Sequence, residues 1–250
     1  MSTEQITNFK SIVDKSSRIV GFTGAGISTE SGIPDYRSKG GIWEQFQPVY
    51  FDEFISDESK RLLYWQRKQE QWGGISSAKP NPGHMFFKEL YDSGKLSGLI
   101  TQNIDGLHEK SGIPRDIIIN LHGTTLDVIC LECGCIISSE EIFADMDLDS
   151  GVPLCRECNG LLKPNTISFG QQLNAEDIRK AGEMVTDCDL MIIMGSTLIV
   201  QPAASFPVAA KQNGAMVALV NLSETPLDDL ADFVFNTKIG EFVDLYAGTE

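Results

Sequence analysis

An α/β fold, with a doubly wound parallel sheet and a smaller second lobe, is what this sequence predicts. Three observations lead there. Short β-branched apolar runs recur along the chain, as strands buried on both faces of a parallel sheet require. Amphipathic segments lie between many of them, which is the β-α-β alternation of such sheets. Two long stretches break the alternation, and one of them holds five of the six cysteines.

The elements follow in order. Ile19-Val20-Gly21-Phe22-Thr23 reads as the first strand and runs into Gly24-Ala25-Gly26. Residues 37–80 read as a helical insert rich in aromatics: Trp43, Phe46, Tyr64, Trp65 and Trp72. Met85 to Tyr91 is amphipathic and precedes the strand Leu99-Ile100-Thr101; Ile117-Ile118-Ile119 is another strand. Residues 125–165 form the cysteine module, in which Glu140 to Asp149 holds five acids and no base and reads as a solvated loop. Asp177 to Val185 leads to the strand Leu190 to Met194, and Ala203 to Gln212 leads to Met216 to Val220. Phe233-Val234-Phe235 is the last strand. Residues 1–250 thus read as a single domain. Its core spans approximately 1–36, 81–124 and 166–250, and its small lobe joins 37–80 to 125–165.

Composition narrows the function classes. The chain has 250 residues, with 20 Lys+Arg against 35 Asp+Glu and a net charge of −15. Broad electrostatic binding to nucleic acid needs clustered cations, so neither nucleic acid nor an anionic membrane is an expected partner. No apolar run approaches the roughly 20 residues of a membrane span. Met1 to Lys15 is polar and lacks the apolar stretch of a secretory signal, so a cytoplasmic location is expected. A monomer is favoured, the oligomeric state being otherwise open.

The cysteines carry the first chemistry. Cys130/Cys133 and Cys155/Cys158 are two C-x-x-C pairs separated by 21 residues. Each pair places two thiolates on one tight turn, and two such turns supply a tetrahedral set suited to structural Zn²⁺. Four thiolates leave no open position for a catalytic water. Cys135 and Cys188 fall outside the set, Cys135 being too close to Cys133 for both to ligate easily.

The strand ends carry the second. Gly24-Ala25-Gly26 follows a strand, so its N–H groups and the turn behind them are placed to meet a pyrophosphate. Thr29 stands where a dinucleotide fingerprint has its third glycine. Gln102-Asn103-Ile104-Asp105, Gly195-Ser196-Thr197 and Asn221 close three further strands with hydrogen-bonding residues, where a sheet of this class binds its ligand.

Together these motifs resemble the sirtuins, NAD-dependent protein-lysine deacylases, from about Gly21 to Glu241. The residues that carry the resemblance are Gly24 to Ser28, Ser31-Gly32-Ile33-Pro34-Asp35-Tyr36-Arg37, Thr101 to Asp105, and Leu121-His122-Gly123. The two cysteine pairs, Phe169-Gly170, Gly195 to Leu198 and Pro202 complete it. Tyr36, Tyr64-Trp65-Gln66-Arg67, Asn81-Pro82-Gly83-His84 and Cys130 to Gly134 look most like the class II branch.

The resemblance implies a Rossmann-like domain bearing a zinc-ribbon module, NAD and one structural zinc, and acylated lysine peptides or proteins as partners. It implies His122 as general base, with Asn103 and Asp105 as the other catalytic residues. Gly24, Ala25, Gly26, Ile33, Asp35, Tyr36, Arg37, Gln102, Asn103, Ile104 and Asp105 would meet the cofactor. So would Gly195, Ser196, Thr197, Asn221, Leu222, Ser223 and Ile239. The peptide would add as a strand between Ile167, Phe169, Gly170 and Gln171 on one side and Leu198, Ile199 and Val200 on the other.

Gln171 departs from the acid usual after Phe-Gly. Tyr64 and Arg67, at i and i+3 on one helix face, are similar to a pair in sirtuins that remove succinyl or malonyl groups. There the arginine pairs with the acyl carboxylate. His84 and His108 read as structural. Mono-ADP-ribosyl transfer and non-catalytic NAD or zinc binding are the competing readings.

Overall fold

The computed structural model describes residues 2–36, 41 and 47–248. Arg37, Trp43 and Phe46 lie outside the described residues. A first helix, α1 (Thr3–Lys15), is capped by the Ser2 hydroxyl, which accepts from the Gln5 N–H. It buries Ile6, Phe9 and Val13, whose spacing of three and four makes one apolar stripe on an otherwise polar segment. That stripe lies within the stretch read above only as polar.

Six strands form one parallel sheet: β1 (Ile19–Thr23), β2 (Leu96–Thr101), β3 (Ile118–Asn120), β7 (Leu190–Met194), β8 (Met216–Val220) and β9 (Phe233–Phe235). Their order is β3-β2-β1-β7-β8-β9. Counted along this sheet alone, that is 3-2-1-4-5-6, the Rossmann order, whose reversal point lies between β1 and β7. In register, Thr23 pairs with Thr101 on one side and with Met194 on the other. The loops after β1, β2 and β7 therefore leave the same edge side by side.

Both faces of the sheet are covered. One core joins α1 to α4 (Pro82–Asp92) and α9 (Ile239–Ala247), with Phe9 packed against Phe233, Phe235 and Phe242. The opposite core joins α7 (Ala175–Thr186) and α8 (Ser205–Gln212) through Ala181, Val185, Phe206 and Ala210. Burial on both faces is why β1 and β7 are apolar at almost every position.

A second, antiparallel sheet has the order β5-β4-β6, from β4 (Gly123–Cys130), β5 (Ile136–Ser138) and β6 (Leu162–Thr166). With α2 (Phe51–Ser56) and α3 (Glu58–Ser77) it encloses a third core around Phe54, Tyr64, Trp65, Val128, Cys130 and Cys155. The acidic run of this module is not all loop. Ser138 caps α6 (Ser139–Ala144), and Arg156 binds Glu141 and Asp145.

Candidate active site and metal centre

The loops leaving β1 and β7 interlock through glycine. Gly24 N–H donates to the Met194 carbonyl at 3.1 Å and Gly26 N–H to the Gly195 carbonyl at 2.8 Å. A Cβ on Gly24 would meet Gly195 O at 2.8 Å, and one on Gly195 would meet Ile27 N at 2.2 Å. Gly195 also has φ +67°, a conformation that favours glycine. This revises the sequence reading in one respect. The N–H groups of Gly24 and Gly26 are engaged by main chain, so these glycines serve close approach of two loops rather than donating to a phosphate.

Next to the interlock lies a buried polar cluster. The Ser28 hydroxyl donates to Asp105 Oδ2 at 2.7 Å. Asn103 Nδ2 donates to Ser28 Oγ and to the Gly24 carbonyl, both at 3.1 Å. The Leu107 N–H, at the start of the short helix α5 (Leu107–Lys110), donates to Asp105 Oδ1 at 2.9 Å. Asp105 is 5% exposed, and burial raises its pKa above the ordinary carboxylate value, partly offset by the Leu107 N–H and Ser28. Tyr36 is pushed up to about 12, by burial first and then by the charges of Asp105 and Tyr64. Ser28 was the residue that sequence reasoning missed as a site member. Its signal was the first of the hydroxyls, Ser28, Thr29 and Ser31, that follow the glycines.

His122 stands between the two sheets. Its Nδ1 lies 2.9 Å from the Gln102 carbonyl. A carbonyl only accepts, so in the neutral ring Nδ1 carries the proton and Nε2 is the basic nitrogen. The His122 carbonyl accepts from the Ile167 N–H at 2.8 Å, which ties the main chain at His122 to the segment that follows β6. Gln102 also donates from Nε2 to Ser196 Oγ at 2.8 Å, linking the loops after β2 and β7.

The other predicted residues distribute as follows. Ile33, Asp35 and Ile104 are partly exposed or exposed around the same loops, as are Ala25 and Thr197. Asn221 follows β8 and donates to the Ser223 carbonyl at 2.7 Å, with Leu222 67% exposed beside it. The Ile239 side chain belongs to the core, next to Ile27. The adjacent Gly240 N–H donates to Glu30 Oε1 at 3.1 Å.

On the peptide side, Phe169 and Ile199 are exposed, while Leu198 turns its side chain inward. The Phe169 carbonyl accepts from Phe51 N–H at 2.9 Å and its ring packs on Tyr50. Gly170, with φ +82°, turns the segment so that Gln171 Oε1 accepts from Ser168 N–H at 3.1 Å. Tyr64 is buried with its hydroxyl 3.2 Å from Thr166 Oγ1, and Arg67 donates to the Gln47 carbonyl. Val200 is half-buried, and its carbonyl accepts from Ala204 N–H.

His84 and His108 are both fully buried, with ring centroids 4.9 Å apart. Burial lowers His84 to about 4 and takes His108 well below its usual value, with His84 adding to the latter. His108 Nε2 lies 2.9 Å from Thr23 Oγ1, which donates to Thr101 Oγ1. Both histidines are therefore neutral packing groups beneath the strand ends.

The metal centre fits its ion. The sulfurs of Cys130, Cys133, Cys155 and Cys158 lie within 4.8 Å of one another. A Zn–S bond of about 2.3 Å in a tetrahedron sets sulfurs about 3.8 Å apart, a spacing that the ligand pairs bracket, from 3.5 Å for Cys130 and Cys158 up to the 4.8 Å limit. Cys188 is buried elsewhere and donates to the Val185 carbonyl.

Comparison with known proteins decides the kinship. The profile described as the Sir2 family matches residues 24–202, most of the chain. This chain belongs to the Sir2 family. An NAD-dependent protein deacetylase 1 of Bradyrhizobium diazoefficiens is 41% identical over 237 residues, covering 95% of this chain and 93% of that protein. A solved Sir2 structure with a p53 peptide and NAD+ superposes with a TM-score of 0.85 at 35% identity, covering 96% and 95% of the two chains. Another Sir2 structure, holding deacetylated p53 peptide and 3′-O-acetyl ADP ribose, superposes with a TM-score of 0.84 at 34% identity, covering 96% of each chain. The Sir2 fold thus accounts for both the six-stranded sheet and the four-cysteine centre.

Proposed function

We propose that this Sir2-family chain is an NAD-dependent protein-lysine deacylase, yielding free lysine, nicotinamide and O-acyl-ADP-ribose. One observation carries the reading. The four residues 102–105 hold the His122 ring through the Gln102 carbonyl and supply Asn103 and Asp105 to the buried cluster with Ser28. Base and pocket are thereby fixed to one short main-chain segment.

NAD, when bound, supplies the ribose carbon that the acyl oxygen attacks and the ribose that finally carries the acyl group. The chain's residues do the rest. Nε2 of His122 takes a proton from a ribose hydroxyl, since Nδ1 is committed to Gln102. Asn103 and Asp105 orient the nicotinamide end, Ile33 lines it, and Tyr36 shields the reacting centre from water. Gly195, Ser196 and Asn221 face the adenosine half. The acyl-lysine peptide would add as a strand between Gly170 and Gln171 on one side and Leu198, Ile199 and Val200 on the other. Cys130, Cys133, Cys155 and Cys158 would hold a structural zinc, and four thiolates would leave it no open position for chemistry.

The domain division stated from sequence, with core segments 1–36, 81–124 and 166–250, is supported by the two separate sheets and their separate hydrophobic cores. A cytoplasmic location is supported by the use of four cysteines as a metal set rather than as disulfides, which suits a reducing compartment. Among the described residues no helix is long and apolar enough to cross a membrane.

The test is an acyl-lysine peptide panel with NAD, in which deacylated peptide and nicotinamide are both measured. Equal yields of the two that depend on the acyl group, and that fall at least about 100-fold in His122→Ala, support the reading. A peptide mass increased by ADP-ribose, with the acyl group intact, would establish ADP-ribosyl transfer instead.

A further inference from the structure

Five cysteine sulfurs, not four, gather at the end of the β5-β4-β6 sheet. Cys130 Sγ lies 3.5 Å from Cys158 Sγ, and Cys133 Sγ lies 3.7 Å from Cys155 Sγ. The shortest of these contacts belongs to the fifth cysteine: Cys135 Sγ is 3.4 Å from Cys155 Sγ. The backbone explains why. Gly134, with φ +73°, turns the chain back after Cys133, and its N–H donates to the Cys130 carbonyl. Cys130 N–H then donates to the Cys135 carbonyl at 3.0 Å, opening the β4–β5 ladder. That pairing fixes Cys135 beside the metal set.

The two sulfurs differ in access. Cys135 is partly exposed, whereas Cys155 is 2% exposed. A tetrahedral metal needs four thiolates, so Cys135 is the surplus thiol. It is positioned as an accessible thiol next to a shielded ligand.

We propose that Cys135 is an oxidation site for peroxides, and that its disulfide with Cys155 removes one ligand from the metal. The steps balance. Cys135 sulfur, losing its proton, attacks one peroxide oxygen; the O–O bond breaks, and Cys135 becomes a sulfenic acid. The Cys155 thiolate attacks that sulfur; the S–S bond forms, the S–O bond breaks, and hydroxide leaves. In sum, one thiol, one thiolate and one hydrogen peroxide give one disulfide, one water and one hydroxide. Two sulfurs are oxidised by one electron each, and peroxide is reduced by two electrons.

The consequence reaches the active site through packing. Cys155 and Cys130 belong to the core that holds Tyr64 and Trp65. β6, paired to β4, leads to Ile167, whose N–H donates to the His122 carbonyl. Loss of the metal thus loosens the element to which the His122 loop is tied.

The experiment uses the zinc-loaded protein and hydrogen peroxide. Released zinc is followed with a chromogenic chelator, and disulfides are mapped by mass spectrometry of peptides. Wild type is expected to release its zinc as a Cys135–Cys155 disulfide accumulates, with recovery on adding a dithiol and zinc. Cys135→Ser is expected to release zinc about tenfold more slowly, since the one thiol of the cluster outside the ligand set is gone, whereas Cys133 and Cys158, though exposed, are held by the metal. Cys188→Ser, remote from the metal, should release it at the wild-type rate. Release from Cys135→Ser at the wild-type rate overturns the proposal, as does a disulfide between two other cysteines with Cys135 still reduced. Should the purified chain carry no zinc, the metal assignment fails by itself, and the disulfide map still decides whether Cys135 pairs with Cys155.

Discussion

The Ser28 hydroxyl donates to Asp105 Oδ2 over 2.7 Å and at the same time accepts from Asn103 Nδ2. One small side chain on the loop after β1 thus orders two on the loop after β2. All three are buried, and beyond the trio the Gly24 carbonyl, the Thr101 hydroxyl and the Leu107 N–H serve Asn103 and Asp105. Ser28→Ala removes one bond from each neighbour. A loss of about 1–3 kcal/mol in folding stability is expected, as for buried groups left unpaired. NAD affinity is expected to fall about tenfold or more in calorimetric titration. An unchanged affinity in a folded variant would show that the cluster does not face the cofactor.

Gly195 tests the loop interlock. Its φ of +67° and the 2.2 Å approach of a built Cβ to Ile27 N leave no room for a side chain. Gly195→Ala must push apart the loops after β1 and β7. Expected results are a clear drop in melting temperature and reduced NAD binding, since both loops end at the cofactor edge. The control is Gly214→Ala, which also has positive φ but meets nothing within 4 Å. It should cost stability through strain while leaving NAD affinity intact.

Metal removal should be visible in tryptophan fluorescence. Trp65 is fully buried in the same core as Cys130 and Cys155. Chelation of the zinc is expected to shift its emission to the red and to make α3 accessible to protease. Far-ultraviolet dichroism should fall only partly, because the six-stranded sheet has its own cores. Complete unfolding on chelation would contradict that separation.

The buried histidines give a pH signature. His84 falls from an ordinary value of 6.5 to about 4 through burial. Its unfolded form therefore binds a proton before the folded form does. Stability from this group is full above about pH 6.5 and is lost as pH falls toward 4, with a total on the order of 3 kcal/mol. His108 acts in the same direction. Asp105, whose pKa is raised, acts in the opposite direction in the carboxylate range. Denaturant midpoints measured from pH 7 to pH 4.5 should decline, and His84→Gln should decline less steeply. Parallel slopes for the two proteins would refute the assignment.

Much of this was legible along the chain because it is local. β1, β7 and β8 were marked by continuous apolar runs, since burial on both faces leaves no alternation to read. The zinc ligands were marked by spacing, because a C-x-x-C turn closes on itself. Two flanking helices were not recognised, although their patterns were present. α1 carries its apolar residues at 6, 9 and 13, and α9 carries Ile239, Phe242, Val243 and Tyr246. Neither segment lies between two strands, so the alternation that revealed the other helices did not point to them. The acidic run, read as solvated loop, became in part α6 because Ser138 caps its first turn and Ile142 packs into the third core.

The sequence by itself determined the succession of the six parallel strands, the four-cysteine set and the identity of the residues at those strand ends; the second sheet was not read from it. Only the tertiary structure decided what those residues do to one another. Gly24 and Gly26 turned out to give their N–H groups to the β7 end, because strands 1 and 7 are neighbours although some 170 residues separate them. Ser28 became the centre of a buried cluster, and Cys135 came to rest against Cys155, for the same reason. Hydrogen bonds and sulfur contacts act over about 3–4 Å, and only the folded chain brings distant residues within that range.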